Sequence, residues 1–174
     1  MQGEAAVGAG SDTPPVLRVT AVALGSNQGD RAGHLTFAVS ALGDLLAGMR
    51  VSPFVETAPV GVPPQSSFLN AAAVGACALP PPALLAAVMR IENARGRKRP
   101  FPGAPRTLDL DVILMGELVV RRSDLHVPHP RFRQRRFVLE PLAAIAPDLR
   151  DPVTRRTVRE LLDELGPPGA CAAG

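Results

Sequence analysis

The hydrophobic positions along the chain predict alternating strands and helices. The apolar, β-branched run Val16–Leu24 predicts a strand, which the following Gly-Ser-Asn ends. After Asp30, apolar residues recur every three or four positions, which predicts a helix capped by that aspartate. The remaining predicted elements are two strands, a proline-initiated helix, a strand with a short return strand, and two closing helices: Arg50–Thr57, Phe68–Leu79, Pro80–Pro82 to Gly96, Thr107–Met115, Leu118–Val120, Arg135–Ala146 and Thr157–Leu165.

This order of elements predicts an α+β fold. Strand, helix, two strands, helix and strand is the order of the ferredoxin-like βαββαβ sandwich, here with extra C-terminal helices. In that sandwich the helices lie on one face of the sheet. We expect one domain over residues 16–166, because the chain has no internal repeat, and disordered tails over 1–15 and 167–174, which are rich in Ala, Gly and Pro.

Composition narrows the class of protein. With 46% hydrophobic and 20% charged residues, the body of the chain is globular rather than disordered. Its apolar runs are too short to span a bilayer, and the N-terminus lacks the features of a signal peptide. Cys77 and Cys171 have no metal-site spacing, which is typical of a reduced intracellular protein. We therefore expect a cytoplasmic location.

Positive charge is concentrated in the middle of the chain. The segment Arg90–Arg136 carries 12 basic and 5 acidic residues, and every basic residue of the chain except Lys98 is arginine. The guanidinium group can form paired hydrogen bonds to phosphate, so the arginines indicate an anionic partner. A nucleotide and a nucleic acid are both possible partners. The alternative is that arginine simply solvates the surface.

The segment RTLDLDVIL contains the most specific local pattern. Side chains alternate along a strand, so Asp109 and Asp111 share one face while Leu108, Leu110 and Val112 point to the other. A cation relieves the electrostatic repulsion between two neighbouring carboxylates. Mg²⁺ is commonly held by one or two carboxylates together with substrate phosphates. The alternative interpretation is the solvated outer face of an antiparallel strand.

Three arginines lie in the Pro/Gly loop that precedes this strand. Arg97, Arg99 and Arg106 could converge on a ligand held by the carboxylates. Phosphoryl transfer depends on positioning and on cations that stabilise charge on the transferred oxygens. We favour that role over the alternative of a solubilising loop.

Five further residues are candidates for ligand contacts. Phe68 and Phe137 could stack on a flat heterocycle, and Asn70 could bind its polar edge. His129 could contact a phosphate or a base. The plain alternatives are a core position for the phenylalanines, an exposed loop for His129 and a surface position for Glu92.

Six motifs, ALGSN, FLNAAA, IENARGRKR, RTLDLD, VPHPR and RRFVLEPL, occur in an order and spacing that resemble one family. The family is 6-hydroxymethyl-7,8-dihydropterin pyrophosphokinase, and the resemblance covers about residues 17 to 165. It implies a ferredoxin-like fold and transfer of pyrophosphate from ATP to the hydroxymethyl group of the pterin, with two Mg²⁺ ions and release of AMP, in folate biosynthesis.

The resemblance also implies roles for individual residues. Asp109 and Asp111 would hold the metal ions. The catalytic residues would be Arg97, Arg106, Asp109 and Asp111. The ATP contacts would be Glu92, Arg97, Arg99, Arg106, Val112, His129 and Arg135. The pterin contacts would be Gly25, Thr57, Ala58, Pro59, Val60, Phe68, Asn70 and Phe137.

Two rival functions remain open at this point. A ferredoxin-like RNA-binding module would explain the basic segment, although Asp109 and Asp111 would repel a nucleic-acid backbone. A homologue that binds pterin without catalysis is the second rival. The resemblance favours a monomeric enzyme with small-molecule substrates and neither a nucleic-acid nor a membrane partner.

Overall fold

The computed structural model of the protein describes residues 15–59, 64–98, 101 and 103–167. The elements follow the predicted order, and their bounds are β1 (Arg18–Ser26), α1 (Arg31–Gly43), β2 (Ala47–Val51), β3 (Val55–Thr57), β4 (Phe68–Cys77), α2 (Pro81–Ala94), β5 (Asp109–Met115), β6 (Val120–Arg121), β7 (His126–Val127), a 3-10 turn (Phe132–Gln134), α3 (Arg136–Ile145) and α4 (Val158–Glu164). The predicted disordered tails lie outside the described residues, except for Pro15 and Pro167.

Strands β1 to β5 form one antiparallel sheet. β1 lies between β4 and β5, and β2 and β3 pair one after the other with the outer edge of β4. The single strand predicted over Arg50–Thr57 is therefore two strands. The break occurs where Pro53 has no amide hydrogen for the ladder, and there the Ser52 hydroxyl accepts a 2.9 Å hydrogen bond from the amide of Ala72.

The return strand predicted over Leu118–Val120 is displaced in the structure. The strand that forms there is β6, and it pairs with β7 in a separate two-stranded sheet. Leu118 itself lies in the turn after β5, where its amide donates to the carbonyl of Met115 at 3.1 Å.

Both faces of the large sheet are covered. Helices α1 and α2 pack on one face, in a first core that includes Val22, Leu24 and Val112. Helices α3 and α4 form a second core on the other face, with Ala21 and Ile113. The expectation of helices on one face therefore holds for α1 and α2 only. Strands buried on two sides need nearly continuous apolar runs, and the AAAV run in β4 is of that kind.

Local signals at the helix ends agree with the structure. The Asp30 side chain caps α1 by accepting from the amide of Gly33 at 3.0 Å. Gly96 follows α2 with a φ of +67°, a conformation that glycine adopts without strain. Every helix in the described ranges is too short or too polar to cross a membrane.

Candidate active site

A pocket opens on the face of the sheet that carries the second core. It lies at the end of the strands, next to the start of α3. Strand register brings its residues together, because Gly25 of β1 lies opposite both Asn70 of β4 and Asp109 of β5. In the next row on the same face, Ala23 lies opposite Asp111. The pocket is lined by Ala23, Leu24, Gly25, Thr57, Ala58, Phe68, Asn70, Arg106, Asp109, Asp111, Arg135, Phe137 and Val138.

One side of the pocket combines flat apolar surface with an amide. Phe68 and Phe137 are half-buried and line the pocket, and Phe137 also packs against the second core. Asn70 is almost fully buried, and its side-chain amide donates to Thr57 Oγ1 at 2.6 Å. The arrangement suits a planar ring with polar edges.

The other side of the pocket carries the two carboxylates. The side chains of Asp109 and Asp111 are 17% and 32% exposed, so the interpretation of a freely solvated strand face is wrong. Asp109 forms ion pairs with Arg97 and Arg106. Asp111 accepts a 3.4 Å hydrogen bond from Arg135. Both carboxylates of this wall are thus paired with arginines.

These carboxylates fit a magnesium ion better than a metal held by protein alone. Within the described ranges, no three metal-ligating side chains cluster together. Mg²⁺ keeps several water ligands and is usually bound by one or two carboxylates plus substrate phosphates. Asp109 and Asp111, which point to the same face of β5, match that donor set.

Glu92 is part of a buried ion-pair chain. Its carboxylate accepts from the amide of Leu110 at 2.7 Å and pairs with Arg97, whose side chain is 5% exposed and also pairs with Asp109. The surface interpretation of Glu92 is therefore wrong: the last turn of α2 faces β5. These ion pairs connect Arg97, at the start of the Pro/Gly loop, to Asp109 in the pocket wall.

Arg106 is positioned by Asn27, which was not among the predicted site residues. The side-chain oxygen of Asn27 accepts a hydrogen bond from the backbone amide of Arg106 at 2.8 Å. The backbone amide of Asn27 in turn donates to the carbonyl of Arg106 at 3.1 Å. Asn27 also donates to Gln65 Oε1 at 2.6 Å. Its place at the end of the ALGSN motif was the one available signal.

His129 lies at the edge of the carboxylate wall. Its amide donates to the carbonyl of Ile113 at 2.9 Å, and its Nε2 is 3.7 Å from Asp111 Oδ2. Burial lowers the pKa of His129 below its ordinary value, and the cations Arg135 and Arg131 lower it further, while Asp111 opposes them. Together these effects favour the neutral form of the imidazole over the protonated form.

Among the described residues, five predicted site residues do not line the pocket, namely Pro59, Glu92, Arg97, Val112 and His129. The Val112 side chain is buried in the first core, on the opposite face of β5 from the carboxylates. Pro59 lies next to the pocket residue Ala58 without lining the pocket. Val60 and Arg99 lie outside the described residues. The pocket residues Ala23, Leu24 and Val138 were not predicted, since nothing in their apolar side chains marks them as functional.

Comparison with known proteins gives a consistent result. Residues 21–147 match the model of the 7,8-dihydro-6-hydroxymethylpterin-pyrophosphokinase family. A 2-amino-4-hydroxy-6-hydroxymethyldihydropteridine pyrophosphokinase of Synechocystis is 37% identical over 158 residues, which cover 89% of this chain and 80% of the relative. The Bacillus subtilis protein of the same name is 44% identical over 126 residues, covering 71% of this chain and 75% of the relative.

Solved structures support the same fold. The crystal structure of wild-type HPPK-DHPS from Plasmodium falciparum superposes with a TM-score of 0.68 at 13% identity. The similarity covers 86% of this chain, and the chain spans 45% of the length of the Plasmodium protein. The mixed α/β architecture with an antiparallel sheet is thus shared. On the family match and the two sequence relatives, the chain belongs to the 7,8-dihydro-6-hydroxymethylpterin-pyrophosphokinase family.

Proposed function

We propose that this chain transfers the diphosphate of ATP to the hydroxymethyl oxygen of 6-hydroxymethyl-7,8-dihydropterin in folate synthesis. The observation that carries the proposal is a pocket in which two phenylalanines and a buried amide lie beside two carboxylates and two arginines. Such a pocket can hold a heterocycle next to a polyphosphate. Membership in the pyrophosphokinase family indicates which reaction the pocket carries out.

The pterin would bind on the apolar side of the pocket. Phe68 and Phe137 would stack on the ring, and Asn70 would bind its polar edge together with the segment that begins at Thr57. Gly25 would let the ring lie directly against the sheet. The remaining proposed pterin contacts are Ala58, Pro59 and Val60.

ATP and Mg²⁺ would occupy the charged side. Asp109 and Asp111 would hold the metal, with two ions as the proposed number. Bound Mg²⁺ supplies positive charge that stabilises the phosphate oxygens during transfer. Arg97, Arg106 and Arg135 would contact the phosphates. The other proposed ATP contacts are Glu92, Arg99, Val112 and His129.

The pocket residues would then act by positioning. The hydroxymethyl oxygen attacks the β-phosphorus, and the bond from that phosphorus to the α,β-bridging oxygen breaks. AMP departs with the bonding electrons, and the hydroxyl proton is released. Arg106 and Arg135 stabilise the charge that develops on the phosphate oxygens, while the phenylalanines hold the acceptor in line.

Several broader proposals accompany this function. We infer that residues 16–166 form a ferredoxin-like pyrophosphokinase domain that acts as a cytoplasmic monomer on small molecules. The strand order of the large sheet supports the ferredoxin-like assignment. An RNA-binding function is not favoured, because Asp109 and Asp111 lie in the pocket on the sheet face and would repel a phosphate backbone.

The test is formation of AMP from ATP and Mg²⁺, with and without the pterin. We expect AMP formation that depends on the pterin and stops when EDTA removes the metal. Asp109→Asn and Asp111→Asn should each reduce kcat/KM by about 100-fold or more, because each removes a proposed metal ligand.

Asp124→Asn is the matched control, since Asp124 is an exposed carboxylate that pairs with Arg122 on the surface. It should leave kcat/KM unchanged. Absence of AMP with folded wild-type protein and saturating pterin would refute the proposed reaction.

A further inference from the structure

A buried carboxylate outside the pocket has an unusually complete set of hydrogen bonds. Asp151, in the turn between α3 and α4, is 0% exposed. Arg133 binds it with two hydrogen bonds, from Nε to Oδ2 at 2.7 Å and from Nη2 to Oδ1 at 2.8 Å. The hydroxyl and amide of Thr154 and the amide of Val153 also donate to it.

These bonds keep Asp151 charged. Burial alone would raise the pKa of this carboxyl, but the hydrogen bonds from Arg133, Thr154 and Val153 outweigh burial, and the pKa lies below its ordinary value. Asp151 also lies beyond residue 147, where the family match ends. The proposed function makes no use of it.

The arginine that binds Asp151 belongs to the segment that carries the pocket residues. Arg133 lies in the 3-10 turn, two residues before Arg135. The two guanidinium groups bind different carboxylates, since Arg133 binds Asp151 while Arg135 reaches Asp111 at 3.4 Å. The amide of Arg135 donates to the carbonyl of Phe132 at 3.1 Å, so the backbone of the turn leads directly to the pocket.

The same turn is fixed on its other side by the core. Phe132 is fully buried in the second core, and the Arg133 guanidinium lies 4.8 Å from the centre of its ring. The amide of Phe132 donates to the carbonyl of His129 at 3.2 Å. The turn therefore sets the separation between His129 and Arg135, which both face Asp111.

We propose that Asp151 is a positioning residue, which acts through Arg133 to hold the 3-10 turn so that Arg135 and Phe137 face the pocket. The inference rests on the proposed roles of Arg135 and Phe137 in binding ATP and pterin. A buried ion pair is weak evidence for a purely stabilising role, because desolvation offsets much of its attraction. The ion pair lies on the turn that leads to Arg135 and Phe137, so it can position these two pocket residues.

The first measurement compares Asp151→Asn and Arg133→Gln with wild type. Asp151→Asn keeps the size of the side chain, Arg133→Gln replaces the guanidinium with a shorter neutral amide, and both remove the charge-assisted pair. At a temperature well below the unfolding transition, we expect kcat/KM to fall about 10- to 100-fold, with a raised KM for ATP and weaker pterin binding in a direct titration. Arg133→Lys, which retains the charge, should recover part of the loss.

Matched controls are available in the same region. Asp148 and Arg159 are exposed residues of the segment from the end of α3 to α4. Asp148→Asn and Arg159→Gln should leave kcat, both KM values and pterin binding unchanged. If the Asp151 and Arg133 variants behave like these controls once the folded fraction is equal, the positioning role is refuted and the pair is structural only.

A double-mutant cycle tests the route through Arg135. Asp151→Asn should cost much less in kcat/KM when Arg135→Ala is already present, because the positioned group is then missing. Equal fold losses in both backgrounds, or an Arg135→Ala variant with wild-type kinetics, would overturn the inference. Pterin-dependent AMP formation by the wild type is read in the same assay, so failure of the proposed reaction is distinguished from failure of this inference.

Discussion

Gly25 shows how a single residue shapes the pocket. A Cβ built at this position would lie 3.2 Å from Asn70 Oδ1 and 3.9 Å from the Phe68 ring and from the Asp109 Cβ. The methyl group would therefore project among the side chains of the pocket rather than into a neighbouring strand. Glycine is needed here for space above the sheet.

We predict that Gly25→Ala impairs pterin binding with little loss of stability. One misplaced methyl group in a ligand pocket changes kcat/KM by roughly 10- to 200-fold. Steady-state kinetics with varied pterin should locate the effect mainly in the KM for pterin. Gly43→Ala is the control, because its Cβ would meet only Met49 Cε at 3.8 Å; an equal effect of both substitutions would contradict the prediction.

Sequence reasoning about single residues succeeded where strand alternation applied. It correctly placed Asp109 and Asp111 on one face and Leu108, Leu110 and Val112 on the other. It could not identify Glu92 as buried, because the partners of its carboxylate are the amide of Leu110 and a loop arginine, which only the tertiary fold brings near. Arg133 and Asp151 were missed for the same reason.

At the scale of elements, helix α4 has the clearest local determinant. The Thr157 hydroxyl accepts from the amide of Glu160 at 3.1 Å, and the Glu160 carboxylate accepts from the amide of Thr157 at 2.7 Å. This reciprocal capping box satisfies amides that the first turn of a helix leaves unpaired. The helix has seven residues, so its start strongly affects whether it forms.

We therefore predict that Thr157→Ala lowers the free energy of unfolding by about 1 kcal/mol. Urea denaturation at neutral pH measures the change, while kcat should stay at the wild-type value because α4 does not line the pocket. Thr36→Ala, at an exposed position in the middle of α1, should instead be neutral or slightly stabilising. A loss at Thr36 as large as that at Thr157 would argue against a capping effect.

Elements were predicted well wherever the signal was local. The Asp30 cap and the proline start of α2 are sequence-local features, and both occur in the structure. The break between β2 and β3 was missed because a proline such as Pro53 is compatible with an edge strand and does not by itself end one. The pairing of Ser52 with Ala72 reveals where the ladder changes.

The molecule as a whole is organised around one sheet shared by two cores. Leu42 of α1 belongs to the first core and Leu139 of α3 to the second, and both side chains are fully buried. Adjacent residues of the same strand, such as Ala21 and Val22, serve opposite cores. Neither core can loosen without affecting the strands of the other.

We predict that Leu42→Ala and Leu139→Ala each lower the free energy of unfolding by about 2–5 kcal/mol in a single cooperative transition. Circular dichroism and intrinsic phenylalanine fluorescence should report the same denaturation midpoint for each variant. Two separate transitions in either variant would mean that the cores unfold independently.

The second core was the feature of the whole molecule that sequence reasoning placed least well. The closing helices were predicted with nearly correct bounds, but their amphipathic pattern does not say which face of the sheet they cover. The strands are apolar on both faces, so either face could have accepted the closing helices.

Helix α4 has a practical consequence for recombinant work. A fragment cut at residue 147, where the family match ends, would retain every residue that lines the pocket. It would lose α4, however, and uncover apolar side chains that pack against Val158, Leu161 and Leu162 in the second core. Such a fragment would be prone to aggregate during expression, so a soluble minimal domain has to extend at least through Glu164.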